Sequence, residues 1–314
     1  MLSNLLKIKS LKTNIFNTKP VVDEDSQAWI FDTFAWCITQ LDGEFFKEDS
    51  QLILPNNSFY PGSASSVEEM ANAIFTNTTK YTGMNTWPLR LVTTQNFIQK
   101  PMPKLTLSTR LRGENAVISI QDFTTDTAVS YSFQGESFEG KSFAGEKIVP
   151  TIDIAFHQSQ LNQPQDLIAY LVQIQAKILV NQFTANTHNT TVMTPPGGKA
   201  ALPQTIDLVA CFMGFGVIFA NTAYQFKGGC GSCNNRNLNR TAALPELETV
   251  YALALFCVIK GESLKVDKMK QVKKTLKPHL VKPFRQSVKE ITLYLAQTTN
   301  TTHAKLASFA AKNN

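Results

Sequence analysis

Apolar residues recur at Ile30, Phe34, Cys37, Ile38 and Leu41, at spacings of three and four, which predicts a helix capped by Asp25 and stopped at Gly43. Gln51-Leu-Ile-Leu-Pro then reads as a short strand. Ser66 with Glu69 three residues on has the form of a capping box, opening a second amphipathic helix through Met70, Ile74 and Phe75 to Gly83. From Trp87 to about Phe156 the period changes to two. PLRLVTT, KLTLSTRL, AVISIQDF, TAVSYSF and KIVPTIDIAF alternate apolar with polar or small residues, and RGEN at positions 112–115 is a hairpin signal. This region predicts a largely antiparallel sheet with one buried face, with residues 135–145 as a loop or a loose hairpin.

Helical periods return at Pro164 and Asp166 and continue over about 203–226, 245–260, 264–276 and 281–297, separated by Pro/Gly-rich or Asn/Gly-rich loops at 187–202 and 228–239. The expected fold class is therefore α+β: a mostly antiparallel sheet in the N-terminal half with two flanking helices, followed by a helical half. The divisions are a basic segment 1–24, a sheet region 25–156, a helical region 157–300 packed on it as one continuous domain, and a tail 301–314.

Composition supports a sizeable core, with 43% of residues apolar and 17% charged. The five cysteines are an odd number, and Cys37, Cys211 and Cys257 lie in apolar helical patterns, which favours free thiols in a reducing compartment. Residues 1–19 lack the uninterrupted apolar core of a secretory signal. The apolar stretch 206–224 is about long enough to cross a bilayer, but Asp207 and Asn221 lie within it, and a buried core helix is the reading that fits the rest of the chain. No membrane span is expected and the cytoplasm is the expected compartment.

The net charge of +6 is a C-terminal property, since residues 260–314 carry twelve basic against three acidic side chains. Lys273, Lys274, Lys277, Lys282 and Arg285 are anion-binding candidates for a nucleic-acid backbone or another acidic surface, although no aromatic interleave for base stacking accompanies them. A solvated helical face is the plainer reading. Cys230 and Cys233, as Cys-Gly-Ser-Cys, make half a zinc site or a redox pair, but no second pair of ligands is in sequence register with them; a structural pair is the alternative. His157, His188, His279 and His303 are scattered singly. The chain has no nucleophile elbow or dinucleotide fingerprint.

Helix 166–183, DLIAYLVQIQAKILVNQF, places Gln173, Gln175 and Lys177 inside an otherwise apolar run. Together with QPQDLIAYLVQIQAKILV, IDLVACFMGFGVIFANTAYQF, LPELETVYALALFCVIKGE and LKPHLVKPFRQSVKEI, it resembles a family of little-characterised bacterial proteins with a zinc-peptidase-like core. That resemblance implies a helix bearing His-Glu-x-x-His, whose two imidazoles share one face and whose Glu activates a metal-bound water. The corresponding positions here are Gln173, Ile174 and Lys177, so all three groups are lost, while Asp207 keeps the acid at the start of the next helix. The implied protein is a pseudoenzyme without metal or cofactor, with a structural or protein- or peptide-binding role. One expectation is that Lys177 replaces the metal's charge, paired with Asp207 or bonded to Gln173; the other is that this face is simply solvated. Rival classes are an anionic-surface binder through the C-terminal lysines and a metal or redox enzyme using Cys230 and Cys233.

Overall fold

The computed structural model describes residues 19–62, 64–107, 110–120, 151–186, 194–223, 240–262 and 265–311. Helix α1 (Glu24–Gln40) is capped by Asp23, whose carboxylate accepts the Ser26 amide at 2.7 Å. The cap is thus two residues upstream of the expected Asp25, which with Glu24 lies in the acidic first turn that complements the helix dipole. Gly43 does not end the helical region. Asp42 adopts a left-handed conformation (φ 68°) and caps a second short helix, α2 (Gly43–Glu48), while its other oxygen accepts the Leu111 and Arg112 amides at 3.0 and 3.2 Å.

In α3 (Val67–Thr82) Ser66 Oγ accepts the Glu69 amide at 3.1 Å. The return half of the expected box is altered, because the Glu69 carboxylate accepts from Ser65 Oγ and its amide instead. Gly83 at φ 73° terminates the helix as expected.

The expected antiparallel sheet is not what forms. Helix accounts for 62% of the described residues and strand for 7%. Strand β1 (Leu89–Thr93) pairs in parallel with β4 (Ile152–Phe156), and β2 (Leu105–Leu107) pairs antiparallel with β3 (Ile118–Ile120). RGEN lies in the connection between β2 and β3, and residues 121–150 fall outside the described part of the chain. Pro101 and Pro103 interrupt the alternating region and offer no N–H to a ladder. The Leu105 amide donates to the Gln182 side chain at 3.3 Å, so a helix stands where a neighbouring strand was expected. Residues 51–54 likewise join no sheet.

The helices that follow make the body. A 3-10 turn (Gln158–Asn162), capped by His157, leads into α4 (Pro164–Asn186). A short 3-10 turn (Gly198–Ala201) then opens an apolar rod, which is expected as one helix and is built in three parts: α5 (Leu202–Ala210), a π-helical turn (Cys211–Phe215) and α6 (Gly216–Thr222). Gly214 adopts φ 99° within the turn, and its carbonyl accepts the Ile53 amide at 2.9 Å. A Cβ here would collide with the Gln51 carbonyl oxygen, so the close passage of segment 51–54 requires glycine. The rod spans 25 residues, counted with the preceding 3-10 turn, and its most apolar window is 83% buried inside the fold.

Along this rod packs α7 (Glu246–Ile259); α8 (Val266–Thr275) follows, and α9 (Pro278–Gln297) packs on α7, burying Leu280, Phe284, Ser287, Ile291 and Leu295. Asn221 at the end of the rod clamps the α8–α9 corner, donating to the Thr275 carbonyl at 3.0 Å and accepting the Lys277 amide at 2.9 Å. Residues of the expected tail form a further helix, α10 (Thr301–Ala311). One hydrophobic cluster runs from Val22 to Leu306, centred on rings such as Phe46 and Phe212, stacked at 4.7 Å.

Candidate functional site

Helical spacing places Asp166, Tyr170, Gln173 and Lys177 on one stripe of α4. Tyr170 fixes this stripe against β4 by donating its hydroxyl to the Ala155 carbonyl at 2.8 Å. Three residues on, the Gln173 amide nitrogen donates to Asp207 Oδ1 at 2.7 Å and to the Thr241 carbonyl at 2.9 Å. Ile174 packs half-buried against the core. Lys177, one turn beyond Gln173, is exposed to solvent and does not approach Asp207 within ion-pair distance. The expectation that Lys177 supplies the missing cation is therefore corrected.

Arg240 takes that place. Asp207 on α5 is 1% exposed, and its Oδ2 accepts Arg240 Nη1 at 3.2 Å together with the backbone amides of Ala243 and Leu244 at 2.8 and 3.0 Å. Arg240 is itself held on the rod: Nε donates to Thr222 Oγ1 at 3.0 Å, Nη2 to the Phe219 carbonyl at 2.8 Å, and its guanidinium lies 4.2 Å from the Phe219 ring centre. Burial depresses the Arg240 pKa, and the opposing charge of Asp207 holds it up. Four donors, one of them a cation, converge on this carboxylate, three on Oδ2 and one on Oδ1.

Asp166, near the start of α4, faces the same region and is half-buried. Desolvation pushes its carboxyl pKa upward against the pull of Lys277 and Arg240. The other polar residues of the helix are cross-links. Gln175 is fully buried and accepts the Thr82 hydroxyl from α3 at 2.7 Å, and Gln182 donates to the Pro103 carbonyl at 3.0 Å while accepting Leu105 N.

Comparison with known proteins gives no match, whether to a family model, a curated protein or a solved structure. The site is accordingly read from its own chemistry. Among the described residues no group of three or more His, Cys, Asp or Glu side chains converges as a metal site, and Cys230, Cys233 and His188 lie outside the described residues. His279 meets Glu246 at 3.0 Å; His303, 2% exposed, bridges Tyr294 Oη at 2.6 Å and Asp32 Oδ1 at 2.8 Å, joining α10 to α9 and α1.

The anion-binding candidates are not brought together as one cluster with the Asp207 network. Lys273 and Lys274 end α8, Lys277 caps α9, and Lys282 and Arg285 stand exposed on the outer face of α9. Sequence reasoning missed Arg240. The available signal is that an acid inside an apolar helix requires a buried cation, and Lys227, Arg236 and Arg240 are the only basic residues between Asp207 and Lys260.

A groove of about 400 Å³ opens beside the first turns of α4, between that helix, α3 and loop 55–64. Tyr60, Met70, Ile74 and Ile168 give it an apolar wall, and Asn77 and Gln165 add carboxamides; no charged side chain lines it. The Gln165 amide nitrogen is buried without a hydrogen-bond partner.

Proposed function

We propose that the chain is a non-catalytic binding protein on a zinc-peptidase-like core, engaging a peptide segment of a protein partner. The observation that carries this reading is the burial of Asp207 under Gln173, Arg240 and two backbone amides. A carboxylate 1% exposed and already held by four donors, one of them a cation, offers no open approach to a metal or a substrate proton, and neither Ile174 nor exposed Lys177 substitutes for the missing Glu and His. The network serves the fold. The groove beside the same helix supplies the binding side of the proposal: its volume suits one or two side chains, its apolar wall suits an uncharged segment, and the unpaired Gln165 donor suits a backbone carbonyl. Cys37, Cys211 and Cys257, all buried free thiols, agree with a cytoplasmic setting.

The test is a peptide selected by display on the wild-type protein, titrated calorimetrically against wild type and Ala73→Trp, which fills the groove from the exposed side of α3. Binding lost in the variant is the expected result. Elemental analysis of the full chain supplies the opposing arm. About one zinc per chain that disappears in Cys230→Ser/Cys233→Ser, or hydrolysis of a peptide abolished by Asp207→Asn, would establish the metal-enzyme reading instead.

A further inference from the structure

We infer that β1 is the docking edge for a second copy of this chain, paired antiparallel with itself about a two-fold axis at Leu91. Among the described residues β1 has a strand on one side only, β4. The parallel register puts the Ile152 amide on the Pro88 carbonyl at 2.8 Å and the Thr94 amide on the Phe156 carbonyl at 2.9 Å. It therefore turns the backbone groups of Arg90 and Val92 toward β4 and those of Leu89, Leu91 and Thr93 to the other side. The far edge of β4 is already covered by α4, whose Tyr170 hydroxyl donates to the Ala155 carbonyl at 2.8 Å. The far edge of β1 pairs with no strand among the described residues.

This open row has a definite length. At one end the Leu89 amide donates to the Trp87 carbonyl at 2.7 Å, and at the other the Thr93 carbonyl accepts the Asn96 amide at 3.0 Å. What remains outward is the Leu89 carbonyl, both groups of Leu91 and the Thr93 amide. That set is its own complement. With two copies antiparallel and Leu91 opposite the partner's Leu91, each Leu91 amide donates to the other's carbonyl and each Thr93 amide donates to the partner's Leu89 carbonyl. Every outward group is used, and a longer extended peptide would meet both ends already closed. The side chains agree. Leu89, Leu91 and Thr93 share the face of buried Ile152, Ile154 and Phe156 but are only half-buried, as core-facing residues without cover on one side are. The devices that keep an edge strand single, a proline, an inward charge or a bulge, are absent from Leu89–Thr93. Its one charge, Arg90, lies on the opposite face and is neutralised by Asp153 through bonds of 2.8 and 2.9 Å. Antiparallel pairing also carries the turn after β1, with Phe97 and Ile98 exposed at 40% and 67%, to the partner's Leu89 end. This inference is independent of the peptide groove.

The experiment is sedimentation equilibrium of the full chain over a dilution series, with amide hydrogen exchange measured at each concentration. A monomer–dimer equilibrium is expected, with the Leu91 and Thr93 amides protected only in the dimer. Val92 stands opposite the partner's Arg90 in this register, so Val92→Arg sets like charges across the axis twice and is expected to weaken the dimer about tenfold. Val92→Glu sets opposite charges there and is expected to dimerise at least as tightly as wild type, which separates a lost interface from a damaged fold. A monomer at every concentration, or a dimer that does not distinguish the two substitutions, would overturn the inference. So would Leu91 and Thr93 amides whose protection is independent of dilution, the sign of an edge covered within one chain, or protection gained on a chain that stays monomeric when the display-selected peptide is added.

Discussion

Asp207 and Arg240 form a pair whose two members are almost wholly out of water, at 1% and 3% exposure. Such a pair contributes little over an apolar substitute, but removing one member strands the other. Arg240→Met is accordingly expected to destabilise the protein by about 3–5 kcal/mol in urea unfolding. Lys177→Met, at an exposed position, is expected to stay within about 0.5 kcal/mol of wild type. A larger cost for Lys177 than for Arg240 would reverse the assignment. Asp166 gives a prediction with a pH signature. Its folded pKa is raised by burial, so its charged form is disfavoured by the fold; the penalty is present above the folded pKa and vanishes as pH falls below the unfolded value. Asp166→Asn is expected to be more stable than wild type near neutrality, with the difference closing on acidification in denaturation series across that range. At this scale the role of Asp207 was legible as a buried acid in need of a counter-ion. Its partner was not, because a contact between residues 33 apart, through the end of a loop, leaves no periodic trace.

Among the elements, the helices were largely legible and the sheet was not. Periods of three and four mark α1, α3, α4 and α7 because each buries one stripe or is buried all round, and turn residues such as Gly83 and Pro164 fix their ends. Period two reports only that one side of an extended segment is buried. It says nothing of what lies alongside, so Leu105 meeting Gln182 of a helix looks in sequence like Leu105 meeting a strand. The break in the apolar rod was also illegible, since Gly214 and Gly216 read as ordinary small residues in a helix. The first is set by the left-handed turn and the adjacent Gln51 carbonyl; the second is pressed on Leu253, 2.9 Å from where a Cβ would stand. Gly214→Ala is expected to cost about 1–3 kcal/mol from the backbone conformation alone, and more from displacing segment 51–54. A urea midpoint unchanged from wild type would show that the passage is looser than described.

Across the whole molecule, sheet pairs and helices share the one cluster from Val22 to Leu306, and polar links close its far ends: His303 between Asp32 and Tyr294, and Gln286 against Lys19. Lys19 and His303 thus both attach to α9, a proximity between distant sequence positions that alternation and charge counts do not encode. Arg240 performs a similar closure in the middle of the chain. Its Nε on Thr222 joins the two borders of segment 224–239 across 3.0 Å, at the end of the rod. The two borders are therefore fastened to each other at the body itself, much as a buckle holds both ends of a strap, so Arg240→Met is expected to release the end of the rod together with the carboxylate it neutralises.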